Sequence, residues 1–326
     1  MRIGVIGAGA WGTALAQLAA ADGEPVLLWA REPEVISAVN LAHENRVFLP
    51  GIALSPSIEA TTDLGRMDAC DALLIVAPAQ YLARVLARTP VGPRALVLCA
   101  KGIEASTGRL MTEVASTLHP RAPVAVLSGP TFAAEVAAGK PTAVTLATSD
   151  EQTGSALMQR LARPHFRPYI SDDVIGAEIG GAVKNVIAIA CGIVAGLGLG
   201  ENARAALIAR GFAEMTRFGV ARGGRADTMA GLSGLGDLVL TCSSTQSRNF
   251  TLGKALGEGR RADELIGIGT SVAEGAFTAP VLAREAYRLG VDMPVVEAVR
   301  ATIEDGRDVR EVVAALLARP LRGEGA

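Results

Sequence analysis

Short, uninterrupted apolar runs bounded by glycine and proline alternate with helix-forming stretches through the first half of the chain, and then the rhythm changes. The runs at 3–6, 26–29, 72–77, 95–99, 124–127, 142–147 and 166–170 read as strands, since strands covered on both faces need apolar residues throughout. Helical composition fills the intervals after the first strand and at 33–42, 81–87, 108–118 and 151–161. Leu49-Pro50-Gly51-Ile52 reads as a turn, and Ala60-Thr61-Thr62-Asp63 as the start of a further strand or helix. The alternation predicts an α/β domain over residues 1–170, a doubly wound (Rossmann) parallel sheet with right-handed crossovers.

Beyond Ile170 the proline-bounded runs disappear. Residues 172–196 read as one long helix with Ser171 as N-cap, and 203–220, 251–256, 273–289, 295–304 and 309–317 also carry helical patterns. Residues 171–326 therefore form a predicted all-α C-terminal domain. Two domains suit a chain of 326 residues. The last residues, 320–326, have little apolar content and read as a frayed end.

Half the residues are hydrophobic, a fifth are charged, and the net charge is −2 with both signs interspersed. This excludes a nucleic-acid partner and a membrane-surface role resting on a positive field. The uncharged stretches 3–21 and 185–200 imitate an export signal and a membrane span. The first carries a glycine-loop pattern, and the second is shorter than the ~20 residues a bilayer requires. No membrane insertion and a cytoplasmic location are expected. Cys70, Cys99, Cys191 and Cys242 are far apart, and with His43, His119 and His165 they offer no metal-binding spacing. Reduced, buried thiols are expected, and the apolar helical surface predicts a homodimer.

The first strand runs into Gly7-Ala8-Gly9-Ala10-Trp11-Gly12, a Gly-x-Gly-x-x-Gly turn ahead of a helix. There Gly7 permits the turn, Gly9 lets the backbone approach a pyrophosphate, and Gly12 allows helix and strand to pack closely. The helix N-terminus supplies N–H groups and a favourable dipole. At the end of the second strand stands Arg31, whose guanidinium suits a ribose 2′-phosphate and so favours NADP; Glu32, as acceptor for the 2′-hydroxyl, would favour NAD.

Ligands of open α/β sheets lie beyond the carboxyl ends of the strands, which brings in Lys101 and the loop Ser128-Gly129-Pro130-Thr131. Alone, either could be an ordinary loop. Lys184 is the sole charge between Glu178 and Glu201, on an apolar helix where an ammonium is costly unless paired or used. Burial and neighbouring cations would bring its pKa toward the range useful for proton transfer; snorkelling at a helix edge is the plainer alternative. Asn185 beside it could hold a substrate hydroxyl or a backbone carbonyl. Asp237, flanked by glycine, could orient the lysine or cap a turn. Arg248, within Ser247-Arg248-Asn249 at a helix start, could clamp a phosphate or pair at the surface. Together these point to a nicotinamide enzyme acting on a small phosphorylated substrate.

In combination, the motifs Gly7-Ala8-Gly9-Ala10-Trp11-Gly12, Ala100-Lys101-Gly102, Ser128-Gly129-Pro130-Thr131-Phe132-Ala133, Gly181-Ala182-Val183-Lys184-Asn185, Gly234-Leu235-Gly236-Asp237-Leu238 and Gln246-Ser247-Arg248-Asn249 resemble the bacterial-type NAD(P)-dependent sn-glycerol-3-phosphate dehydrogenases. The resemblance spans nearly the whole chain. It implies interconversion of dihydroxyacetone phosphate and sn-glycerol 3-phosphate, feeding phospholipid synthesis. It implies that Lys184 transfers the proton, with Lys101 close to both ligands. Gly129 and Thr131 would line the substrate site, with Asp237, Ser247, Arg248 and Asn249 holding the substrate. Ala10, Trp11, Arg31, Ala133, Val272 and Glu274 would complete the cofactor site, with Arg248 also near it. The competing readings are a two-domain dehydrogenase of another small hydroxy substrate and a dinucleotide-sensing protein without turnover.

Overall fold

The computed structural model describes residues 1–266 and 273–320. By packing, the chain divides into two compact units: residues 1–100 with 111–174, and residues 101–110 with 175–326. A single crossing near Ser171 was expected. The segment 101–110 instead belongs to the second unit, because its apolar ends, Ile103 and Leu110, are buried in the helical core.

The first unit contains β1 (Ile3–Ile6), α1 (Ala10–Ala19), β2 (Val26–Trp29), α2 (Pro33–Ala42), β3 (Glu44–Asn45), β4 (Leu49–Ala53), β5 (Ile58–Thr61), β6 (Ala72–Ile75), α3 (Ala79–Leu86), β7 (Ala95–Leu98), α4 (Met111–Leu118), β8 (Val124–Ser128), α5 (Ala133–Ala137), β9 (Thr142–Thr148), α6 (Glu151–Leu161) and β10 (Phe166–Ser171). Eight strands form one sheet in the order β10-β9-β8-β7-β6-β1-β2-β5. Every pairing in it is parallel except β8 with β9. Successive residues of a strand serve opposite faces. Thus Ala72 and Leu74 enter the core shared with α1, α2 and α6, whereas Leu73 and Ile75 enter the one shared with α3 and α4.

Three local expectations are corrected. Residues 49–52 are not a turn: they lie in β4, which pairs antiparallel with β3 in a small separate hairpin. The helix expected from Gly108 begins at Met111, because Gly108 takes a left-handed φ of 73° and Leu110 bridges back to Ile103. Ser171 ends β10 rather than capping the long helix, although its Oγ accepts a hydrogen bond from Asp173 N at 3.1 Å.

The second unit contains α7 (Val174–Gly196), α8 (Glu201–Ala221), α9 (Ala226–Ala230), a π-helical turn (Leu232–Gly236), α10 (Asp237–Cys242), α11 (Arg248–Gly257), α12 (Ala262–Leu265), α13 (Glu274–Arg288), α14 (Pro294–Ile303) and α15 (Val309–Leu317). By length and composition α7 could cross a membrane, but 89% of its most apolar window is buried among its neighbours. Glycine lets it approach α11 backbone to backbone. A Cβ on Gly192 would stand 2.1 Å from the Phe250 carbonyl oxygen, and one on Gly253 would stand 2.0 Å from that of Ile189. Such contact admits no side chain, and it fixes α7 and its single lysine against α11. All four cysteines are free and buried.

Candidate active site

In the first unit, Gly7 has φ 116°, and a Cβ there would press on the Val76 carbonyl at 2.9 Å. A Cβ on Gly12 would collide with the Gly7 carbonyl oxygen at 1.7 Å, whereas one on Gly9 would meet nothing within 4 Å. The backbone at Gly9 therefore borders open space, while the two flanking glycines hold the turn. Gly9 is the N-cap of α1 and contributes no side-chain cap, so the first turn presents its N–H groups to an anion as a dinucleotide cradle requires. Ala10 and Trp11 open the helix; the Trp11 indole N–H is buried without a partner among the described residues.

Two residues that sequence reasoning missed brace this loop. Asn45 Nδ2 donates to Ala8 O at 2.9 Å and Thr13 Oγ1 at 2.8 Å, and the Thr13 hydroxyl donates to Ala8 O at 3.2 Å. Asn45 belongs to β3, whose partner strand β4 contains the residues 49–52 that were read as a turn, so the hairpin that places Asn45 was not anticipated. Arg31 is 83% exposed and forks onto Glu32 Oε1 through Nε at 3.0 Å and Nη2 at 2.7 Å. The two residues that the sequence offers as alternative ribose partners are thus ion-paired to each other. At the end of β8, a Cβ on Gly129 would meet Val144 Cα at 2.9 Å. The Thr131 hydroxyl donates to Gly129 O at 3.3 Å, and Ala133 is the first residue of α5.

In the second unit, Lys184 of α7 and Lys101 of the 101–110 segment converge on Asp237 at the start of α10. Asp237 Oδ1 accepts from Lys184 Nζ at 3.0 Å, and Oδ2 from Lys101 Nζ at 2.7 Å. Thr241 completes the group: its hydroxyl accepts from Lys184 Nζ at 2.8 Å and donates to Asp237 Oδ1 at 3.1 Å. Thr241 was missed, although it lies one helical turn after Asp237 and so on the same face. Asp237 is 1% and Lys184 6% exposed. Burial pushes the Lys184 ammonium down to about 8, opposed by the Asp237 charge and assisted by repulsion from Lys101. Burial works against the Asp237 carboxylate, but the two ammonium groups outweigh it and hold the carboxyl below its usual range.

Asn185 supports the same site. Its Nδ2 donates to Lys101 O at 3.1 Å, and its Oδ1 accepts from Asn249 Nδ2 at 2.9 Å. Asn249 Oδ1 in turn accepts from Gly275 N at 2.9 Å, beside Glu274 at the start of α13. Of the two roles open to Asn185, the carbonyl contact is the one observed. Ser247 caps α11, accepting from Phe250 N at 3.2 Å, so one first-turn N–H that could have met an anion is already used. Arg248 follows it, exposed, with no hydrogen bond or ion pair among the described residues. Val272 lies outside the described residues.

A glycine-loop Rossmann unit joined to a helical unit carrying a buried lysine–carboxylate–lysine cluster defines a class, the two-domain pyridine-nucleotide dehydrogenases. The sequence narrows it. Residues 2–154 match the N-terminal model and residues 173–314 the C-terminal model of NAD-dependent glycerol-3-phosphate dehydrogenase. The chain is 63% identical to a glycerol-3-phosphate dehydrogenase (NAD(P)+) of Erythrobacter litoralis, over 99% of this chain and 98% of that one. The crystal structure of glycerol-3-phosphate dehydrogenase from Coxiella burnetii superposes with a TM-score of 0.93 at 38% identity, covering 98% of this chain and 99% of the other. The yeast enzyme superposes with a TM-score of 0.81 at 28% identity, covering 97% and 99%. The chain belongs to the NAD-dependent glycerol-3-phosphate dehydrogenase family and is an oxidoreductase using NAD or NADP.

Proposed function

We propose that this protein reduces dihydroxyacetone phosphate to sn-glycerol 3-phosphate, reversibly, with Lys184 as the proton donor, and so supplies glycerol phosphate for phospholipid synthesis in the cytoplasm. The observation that carries the reading is the pairing of Lys184 and Lys101 on one buried carboxylate, in a chain of this family. The nicotinamide ring, when bound, supplies the hydride that goes to C2 of the substrate. Lys184, still mostly protonated at neutral pH with its pKa near 8, gives its proton to the C2 oxygen as that oxygen becomes an alkoxide. Two ammonium groups against one carboxylate leave a net positive charge at the cluster, which favours the developing oxyanion in a dry setting. Asp237 keeps both lysines in place, so little reorganisation is required during the step. In the reverse direction neutral Lys184 takes the proton back.

Arg248 is assigned to the substrate phosphate: it is an exposed guanidinium, with no partner among the described residues, at the start of a ten-residue helix. Ser247 and Asn249 are assigned to the substrate beside it, as is Asp237, and Gly129 and Thr131 line the substrate site. Gly7, Gly9, Ala10, Trp11, Gly12, Ala133 and Glu274 are assigned to the cofactor, with Lys101 and Arg248 near both ligands. NADP is the preferred cofactor in this reading, Arg31 exchanging Glu32 for the 2′-phosphate. A homodimer is proposed from the helical unit. There α8, α14 and α15 border a mostly apolar cavity of about 850 Å³, with Leu199 and Leu317 on its walls 47% and 79% exposed. Such a groove is the kind of surface that a second copy would cover; a monomer by light scattering would refute it.

The test of function follows NADPH oxidation with dihydroxyacetone phosphate, beside unphosphorylated dihydroxyacetone and beside NADH. Rapid oxidation that requires the phosphate is expected. Oxidation of the unphosphorylated ketone at a similar rate would overturn the substrate assignment. An unchanged NADPH/NADH ratio in Arg31→Ala would overturn the cofactor preference.

A further inference from the structure

Lys101 reaches the buried carboxylate from a segment that is not part of a helix. Residues 101–110 leave the end of β7, enter the helical unit, and return to α4 in the first unit. A loop lysine loses several rotatable bonds' worth of freedom when it is held in one place, so something must hold its backbone. Three anchors are present. Ile103 and Leu110 bridge to each other and are 1% and 2% exposed. Asn185 Nδ2 binds the Lys101 carbonyl from α7. The third anchor is a pair of neighbours on α13.

Arg284 Nη2 donates to Ala105 O at 2.8 Å, in the middle of the segment. Glu285, the next residue, fills the space over Gly108, where a Cβ would meet its Oε1 at 2.7 Å; Gly108 also has φ 73°. The Glu285 carboxylate is itself held by Arg222, the C-cap of α8, at 3.3 Å and by Arg288 at 2.8 Å. Arg222 and Glu285 side chains are only 12% and 15% exposed, so this pair is better shielded from solvent than a surface one. The anchor therefore joins the segment to α13 and to the C-terminal end of α8.

We propose that Arg284 and Glu285 are positioning residues for the reduction: they clamp segment 101–110 so that the Lys101 ammonium stays on Asp237. The role rests on the assignment of Lys184 as proton donor. Its consequence is specific. Lys101 repels the Lys184 proton, and both lysines share one carboxylate. If the clamp is loosened, Lys101 withdraws, Asp237 is left to Lys184, and the Lys184 proton is held more tightly. The basic limb of the pH profile for dihydroxyacetone phosphate reduction then moves upward, as it should in Lys101→Ala. A merely structural defect would lower stability without moving that limb.

The experiment compares Arg284→Met, Arg284→Lys, Gly108→Ala and Lys101→Ala in the intact enzyme. It measures kcat/KM against pH, NADPH affinity, and hydrogen exchange of the 101–110 amides. Arg284→Met should speed exchange in the segment and lower kcat/KM about two- to tenfold, the range for one lost hydrogen bond. It should also shift the basic limb in the direction Lys101→Ala takes it, with NADPH affinity changing no more than in Lys101→Ala. Arg284→Lys, which can still donate to Ala105 O, should restore most of the loss. Faster exchange with an unmoved basic limb would refute the positioning role, and so would unchanged exchange in both Arg284→Met and Gly108→Ala. A folded wild type inert toward dihydroxyacetone phosphate would overturn the activity itself, and this role with it.

Discussion

Asp237→Asn removes the negative charge from between Lys184 and Lys101 while keeping the side chain's volume, so it isolates electrostatics from packing. In the native cluster the carboxylate accepts from the two lysines at 3.0 and 2.7 Å and is 1% exposed. Burial and Lys101 drive the Lys184 proton off, and Asp237, with a smaller part from Cys242, retains it. The substitution deletes the main retaining influence and leaves the others, so the lysine must lose its proton below the native value of about 8. Breaking one side of a buried pair costs about 3 kcal/mol at the lower end, appropriate here because the amide oxygen still accepts one hydrogen bond. At ~1.4 kcal/mol per pH unit this moves the basic limb of kcat/KM down by about two units. Reduction at neutral pH, which needs protonated Lys184, then falls about tenfold from protonation alone and further from loss of alignment, general acid catalysis being worth about 10²–10⁴. For oxidation of glycerol 3-phosphate the ascending limb, which reports neutral Lys184, should move down likewise. Both profiles are read by nicotinamide absorbance, with thermal melting and NADPH affinity as controls. A variant with intact cofactor binding whose basic limb stays near 8 or rises would refute the assignment of Lys184 as the acid.

Arg248→Ala should raise KM for dihydroxyacetone phosphate about 10- to 100-fold, from one lost charge-assisted contact of about 1.5–3 kcal/mol, with little change in melting temperature; an unchanged KM would remove the phosphate clamp. Gly192→Ala should destabilise by about 1–3 kcal/mol, since the added carbon meets the Phe250 carbonyl; denaturant unfolding equal to wild type would show that α7 and α11 can separate freely. Glu214 is 1% exposed, accepts from Val295 N at 2.8 Å and Val296 N at 3.2 Å, and is pushed by burial from 4.5 up to about 7. With the folded pKa above the unfolded one, its contribution to stability is complete below about 4.5 and is lost as pH rises through about 7. Glu214→Gln, which does not titrate, should therefore compare worst with wild type in acid and best above neutrality. A stability difference independent of pH would refute that titration.

Much of the fold could be read from the order of residues. Apolar runs stopped by glycine or proline mark strands because a central parallel strand is covered on both faces, and β1, β2, β6, β7 and β8 lie where that pattern places them. The glycine loop was legible because each glycine answers a local demand: a positive φ at Gly7, a carbonyl in the way at Gly12, open space at Gly9. Lys184 was legible because one charge in an apolar helix is improbable without a use. The β3–β4 hairpin was not legible, since its proline and glycine imitate a turn, and with it was lost Asn45, the brace of the glycine loop.

What the sequence determined by itself was which residues could be costly, conspicuous or conformationally special. Which of them meet was decided only in three dimensions. Lys101 finds Asp237 across 136 residues, and Asn185 finds Asn249 across 64. Lys101 does so from a segment that follows a Rossmann strand yet is packed into the helical unit. Periodicity carries information over one or two turns, because it reports which face of an element is buried. It carries none about which buried faces are brought together. That choice is made by close packing, here by glycines that let α7 and α11 touch and by side chains that pin a loop to α13, and the shared carboxylate of Asp237 is its product.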